Sequence, residues 1–64
     1  MLVPKIKERR MEAYMSQTDL AKKTGIDPGQ ISQYETGKRL PRIEAAWKIA
    51  KAIGCHIDDL FEEE

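Results

Sequence analysis

Gln30, Ser32 and Gln33 crowd into the seven-residue piece QISQYET, which Gly29 and Gly37 bracket. A piece this short does not hold a helix alone, so neighbouring elements must fix it. The amide of a glutamine matches the donor and acceptor edge of adenine, and a serine hydroxyl contacts several bases. The set therefore suits reading base edges in a DNA duplex. Ile31 and Tyr34, three residues apart, form the apolar pair of the same piece. With both turned inward, Pro28, Gly29, Ser32 and Gln33 share the outward side. Gln30 stays open between two roles, because an Asp27–Gln30 capping box would satisfy it without any ligand.

Other chemistry finds less support. Cys55 lies beside His56, but neither has a second metal ligand or an orienting partner in the pattern. Asp58 and Asp59 fit the start of a helix, where the macrodipole favours negative charge. No paired carboxylates, phosphate loop or triad spacing occur. The expectation is no enzyme, no catalytic residue, no metal, no cofactor and no small-molecule ligand. Trp47 and Tyr34 could stack on bases, yet their helical spacing assigns both to a core.

Short helices with glycine punctuation must position these residues. Leu2, Ile6 and Arg10 recur at i, i+4 and i+8, which predicts a first helix from about Val3 to Ala13, with Pro4 in its first turn. Ser16 and Asp19 have capping-box spacing at the start of a second helix, whose inward residues are Leu20, Ala21 and Thr24. Gly25 stops it. Asp27 caps a third helix, Pro28 suits its first position, and it runs to about Glu35. The longest helix spans about Arg42 to Ile53, with Ile43, Ala46, Trp47, Ala50 and Ile53 on one stripe. Cys55, Ile57, Leu60 and Phe61 suggest a final short helix. The expected fold is all-α, five helices and no sheet, one domain over residues 1–64 with an acidic end at 58–64.

Within that plan, Gln17 to Thr36 reads as helix, glycine turn, helix. Ala21 permits a close crossing, Gly25 supplies the left-handed turn, and Leu20, Ile26, Ile31 and Tyr34 attach the pair to the core. A short second helix then enters a major groove end-first. Formal net charge is zero, which hides an asymmetry: residues 58–64 carry five acids and no base, so residues 1–57 stand at +5. A basic body suits a polyanionic partner. No apolar run is long enough to span a membrane, no secretory leader is evident, and the single cysteine fits a reducing cytoplasm.

The stretch SQTDLAKKTGIDPGQISQYETGKRLP, followed by IEAAWKIAKAIGCHIDDLF, resembles the phage-repressor and Cro-type helix-turn-helix family in its single-domain bacterial or phage form. The likeness runs from about Ile6 to Phe61. It lies in SQ-x-x-LA, the turn glycine, the IS-x-x-E-x-G-x-x-x-P block and the IAKAIG-x-x-I-x-x-L ending. The resemblance implies a compact, lambda-repressor-like bundle of five helices whose third helix enters the major groove of double-stranded DNA. By position, Pro28, Gly29, Ser32 and Gln33 would face bases. Ser16 and Gln17 would meet one phosphate, while Thr36, Lys38 and Arg39, with Arg42, would hold the flanking backbone. Arg10 would pair with Glu35 as a structural tie. Four positions depart from the pattern: Tyr14 replaces a frequent turn glycine, Arg9 an apolar residue, and Arg42 and His56 the usual caps.

The function this implies is a cytoplasmic, sequence-specific transcriptional regulator acting as a repressor. One such module buries about 600–1,000 Å², so a homodimer on a palindromic operator is expected, with half-sites about one helical turn apart. Ile57, Leu60 and Phe61 are the expected dimer surface; alternatively Leu60 and Phe61 finish the core. A competing reading is a protein-interaction module on the same fold, an antitoxin or adaptor. The acidic end is expected to lower non-specific DNA affinity by repulsion.

Overall fold

A computed structural model describes all 64 residues. Four α-helices form the body: α1 (Ile6–Glu12), α2 (Gln17–Thr24), α3 (Pro28–Thr36) and α4 (Ile43–Ile53). A 3₁₀ helix, Ile57–Leu60, stands where a fifth α-helix was expected. Two short strands, β1 (Leu2–Pro4) and β2 (Phe61–Glu63), pair antiparallel with Leu2 opposite Glu63, Val3 opposite Glu62 and Pro4 opposite Phe61. The expected all-α fold of five helices is thus corrected to four helices and a small ribbon joining the ends.

Pro4 explains the first difference. Its ring disfavours α backbone in the residue before it, so the helix predicted from Val3 begins only at Ile6, after Lys5. The strand leaves Leu2 half-exposed, whereas Ile6 and Arg10 are buried as the spacing required. Lys5 N donates to Leu60 O at 2.7 Å and Glu64 N to Met1 O at 2.9 Å, which extends the ribbon at both ends. The acidic end is therefore built into the fold, with Lys5 Nζ 3.8 Å from Glu62 Oε2.

Each helix end follows from local chemistry. Ser16 Oγ accepts from Asp19 N at 2.9 Å and Asp19 Oδ2 accepts from Ser16 N at 3.0 Å, the reciprocal capping box at the start of α2. The Ser16 backbone N–H, and after it the Ser16 hydroxyl, hold the Asp19 carboxyl below its ordinary pKa, with Lys22 and Lys23 adding a little. Gly25, at φ +74°, turns the chain toward α3, a conformation that a side chain strains. The buried hydroxyl of Thr24 donates to Leu20 O at 2.8 Å and accepts from Ile26 N at 3.1 Å, so the turn carries no orphaned polar group. Tyr14 keeps the left-handed turn after α1 at φ +58° and is almost wholly exposed.

Nine apolar residues close the core: Ile6, Leu20, Ala21, Ile31, Tyr34, Ala46, Ile49, Ala50 and Leu60. Alanines 21, 46 and 50 are small enough for α2 and α4, the most extensively packed helix pair, to approach closely. The buried stripe of α4 is Ala46, Ile49 and Ala50. Two members of the predicted stripe lie outside it, Ile43 at 74% exposure and Trp47 at 53%. The core assigned to Trp47 is thereby corrected: the stripe rotates toward α2, and the large ring is left on the outer edge. Leu60 is fully buried, so it finishes the core and is withdrawn from the expected dimer surface.

Candidate nucleic-acid interface

The start of α3 is fixed before any partner arrives. Asp27 Oδ2 accepts from Gly29 N at 2.9 Å, and Pro28 takes the first turn, where no N–H is needed. The expected Asp27–Gln30 box is absent; the cap closes on Gly29 instead and leaves the Gln30 side chain without a partner in the fold. A Cβ added at Gly29 would stand 2.8 Å from Asp27 Oδ2. The glycine therefore makes room for the cap, a reason the sequence reading did not reach. Ile31 and Tyr34 anchor the inner side as expected.

A buried polar knot sets the angle of α3 against α1 and α2. Arg10 Nε donates to Glu35 Oε2 at 2.8 Å and Arg10 Nη2 to Glu35 Oε1 at 3.2 Å, a two-pronged charge-assisted pair. The two side chains are only 10% and 4% exposed. Arg10 Nη1 also donates to Met15 O at 2.8 Å, and Gln17 Nε2 donates to Glu35 Oε1 at 2.9 Å. One carboxylate thus gathers α1, α2 and α3. The pair implied by the family likeness is present; the third member, Gln17, adds a task to the phosphate role expected of it. An amide carries two N–H groups, so one is held by Glu35 and the other is left over at the start of α2.

On the outer side of α3, Pro28, Gly29, Gln30 and Gln33 are exposed and Ser32 is half-buried. The side chains of Ser32 and Gln33 make no hydrogen bond within the chain, and neither Lys38, Arg39 nor Arg42 joins one of the four ion pairs. Gln30, Arg39 and Arg42 line one groove between α3 and α4, with Glu44 on its rim. Thr36 differs: its Oγ1 donates to the Gln33 carbonyl at 3.3 Å, so it is partly occupied inside the helix. Arg42 caps α4 through backbone geometry alone, with no side-chain bond, which leaves its guanidinium free. Arg9, another of the four departures, donates through Nε to Asp59 O at 2.8 Å and so ties α1 to the 3₁₀ helix.

A second surface emerged that the sequence reading only touched. Leu2, Leu40, Pro41, Ile43, Ala46, Ile57 and Phe61 line an apolar groove of about 330 Å³ closed by Asp58. Ile57 and Phe61 were expected there; Leu2, Leu40 and Ile43 were not. Their signal was available in Leu40, an apolar residue in a loop with no helical stripe to join. Cys55 is a free, half-buried thiol whose pKa burial pushes up, with the Asp59 charge acting in the same direction. It is suited neither to nucleophilic attack nor to thiolate ligation.

Comparison with known proteins agrees with this geometry. An uncharacterized HTH-type transcriptional regulator of Methanocaldococcus jannaschii is 42% identical over 57 residues, covering 89% of this chain and 86% of the relative. One from Archaeoglobus fulgidus is 40% identical over 63 residues, covering 94% and 89%. The cryptic phage CTXphi transcriptional repressor RstR of Vibrio cholerae is 30% identical over 63 residues, covering 98% of this chain and 57% of that repressor. The P22 c2 repressor, solved in complex with a synthetic operator, superposes with a TM-score of 0.78 at 31% identity, covering 84% of this chain and 82% of that one. Residues 6–60 match the Helix-turn-helix family HTH_3, and the chain belongs to that family.

Proposed function

We propose that this protein is a sequence-specific double-stranded DNA-binding transcriptional regulator that acts as a repressor. The observation that carries the reading is the two-sidedness of α3. Its inner side is immobilised by Ile31, Tyr34 and the Glu35 knot, while Gln33 and Ser32 stand outside without partners. In this reading the N-terminal half of α3 enters the major groove. Gln33 reads an adenine edge, Ser32 a neighbouring base, and Pro28 and Gly29 bring the backbone close to the duplex. Lys38, Arg39 and Arg42 hold phosphates on one flank; Ser16 and the second N–H of Gln17, at the start of α2, hold one on the other. Gln30 joins the Arg39 and Arg42 side of the interface.

The apolar groove around Ile43 serves as the seam of a two-fold dimer, which presents two copies of α3 to a palindromic operator. Occupying an operator that overlaps a promoter is sufficient to block polymerase in the cytoplasm. Relatives named as HTH-type regulators and as a phage repressor, and the fold shared with a repressor solved on operator DNA, support the reading. Selection of bound sequences from random duplexes tests it. A two-fold symmetric motif with half-sites about one helical turn apart is expected, and recovery of no enriched motif overturns the proposal.

A further inference from the structure

Trp47 belongs to neither the DNA-facing surface nor the core. It stands 53% exposed on α4, the one tryptophan of the chain. A groove of about 370 Å³ opens on one side of it, floored by Ala50 and Cys55 with Lys51 and His56 beside them. It ends at Ile57 and Asp58, which it shares with the apolar groove around Ile43. On the other side Lys23, Lys48 and Lys51 surround the ring. Lys51 Nζ sits 5.3 Å from the ring centroid, within cation–π range. None of the three lysines belongs to an ion pair.

We propose that this face docks a protein partner through an acidic segment carrying one bulky apolar side chain. Three unpaired cations against one acid set the sign of the partner. The apolar floor beside the tryptophan supplies the pocket for its anchor, an aromatic-lined recess of the kind found at the energetic centre of interfaces. A nucleic-acid strand fits less well. Strand-binding surfaces stack successive bases on several aromatic rings, whereas one ring is present here and Asp58 repels phosphate. Lys23 lies at the far end of α2 from Ser16 and Gln17. The six residue steps from Gln17 to Lys23 along α2 put about 9 Å between them. No residue lining the face is one assigned to DNA, so the face stays open while α3 occupies DNA. The inference goes beyond the proposed DNA binding and stands without it.

The lone tryptophan makes the test direct. The full chain is titrated with a nine-residue synthetic peptide, one central leucine flanked by glutamates, and Trp47 fluorescence is followed. A saturable change with half-saturation below about 1 mM is expected, and a Lys23→Glu, Lys51→Glu double variant should weaken it about tenfold or more. Both lysines are exposed but lie in the last turns of α2 and α4, so the variant should stay folded and melt several degrees below the wild type, still well above the assay temperature. Absence of a saturable change overturns the proposal. So does equal binding of the peptide with glutamines in place of glutamates, or tighter binding of an oligothymidylate of similar length. Concentration-dependent self-association abolished by the same double variant would assign the face to a second copy, and would also overturn it.

Discussion

Gln33 and Lys38 differ in what they can know about a DNA sequence. In the proposed interface Gln33 presents an amide to a base edge, so Gln33→Ala should relax preference at one position per half-site and cost about 1–3 kcal/mol there. Lys38→Ala should weaken every duplex alike and lower the salt slope by about 1. Binding isotherms on matched and single-substituted operators at several salt concentrations separate the two. Gly29 makes a subtler case. Alanine there gains about 1 kcal/mol of helix propensity but displaces the Asp27 carboxylate from its cap, a loss of about the same size. Gly29→Ala should leave the melting temperature within a degree or two; in the proposed interface it also places a methyl on the DNA side, so re-selected operators should shift toward thymine at the facing position. Much at this scale was legible in sequence: Ser16 and Asp19 announce their bonds by spacing, and Ile31 and Tyr34 their direction. The Asp27 cap was misread because two bonding patterns, to the second or third N–H of the helix, share one sequence signature.

Helix α3 keeps its angle through a single carboxylate, and that concentrates risk. Glu35→Ala removes the partner of a buried guanidinium and one bond of Gln17 together; the expected cost is about 3–5 kcal/mol, a large share of what a chain this size has. Urea denaturation should show the loss, with DNA affinity falling further than the unfolded fraction explains. Helix α2 has a pH-dependent start. The folded pKa of Asp19 lies below its unfolded value, so its contribution is full above the ordinary carboxylate range and is lost as pH falls through the depressed folded value. Asp19→Asn should remove that part of the acid slope in a stability-against-pH series. The ribbon and Trp47 mark where reading by element stops. Leu2, Ile6 and Arg10 satisfy a helical period whether or not residue 2 is helical, and no local signal tells Leu2 that Glu63 is opposite. An apolar stripe on α4 likewise gives a direction but not its width, so the ring at its edge is exposed once smaller Ala46 and Ala50 take the contact with α2.

Two kinds of surface are distributed around the whole molecule: unpartnered polar and basic groups along α3 and the loop after it, and an apolar groove at Leu2, Leu40, Ile43, Ile57 and Phe61. If the groove joins two copies, a charge in its middle should separate them. Ile43→Glu should run as a monomer in sedimentation, keep its fold because the residue is exposed, and lose about 10²-fold in operator affinity as the second half-site ceases to be tethered. The ribbon has a different reach. It pairs residues 2–4 with residues 61–63, partners about sixty residues apart in sequence. The helices α1 to α4 can form from local contacts, but β1 finds its partner only once residues 61–63 are in place. Until then Ile6 lacks the lid that Leu60 provides, so closing the ribbon and completing the core are one step with a long loop to close.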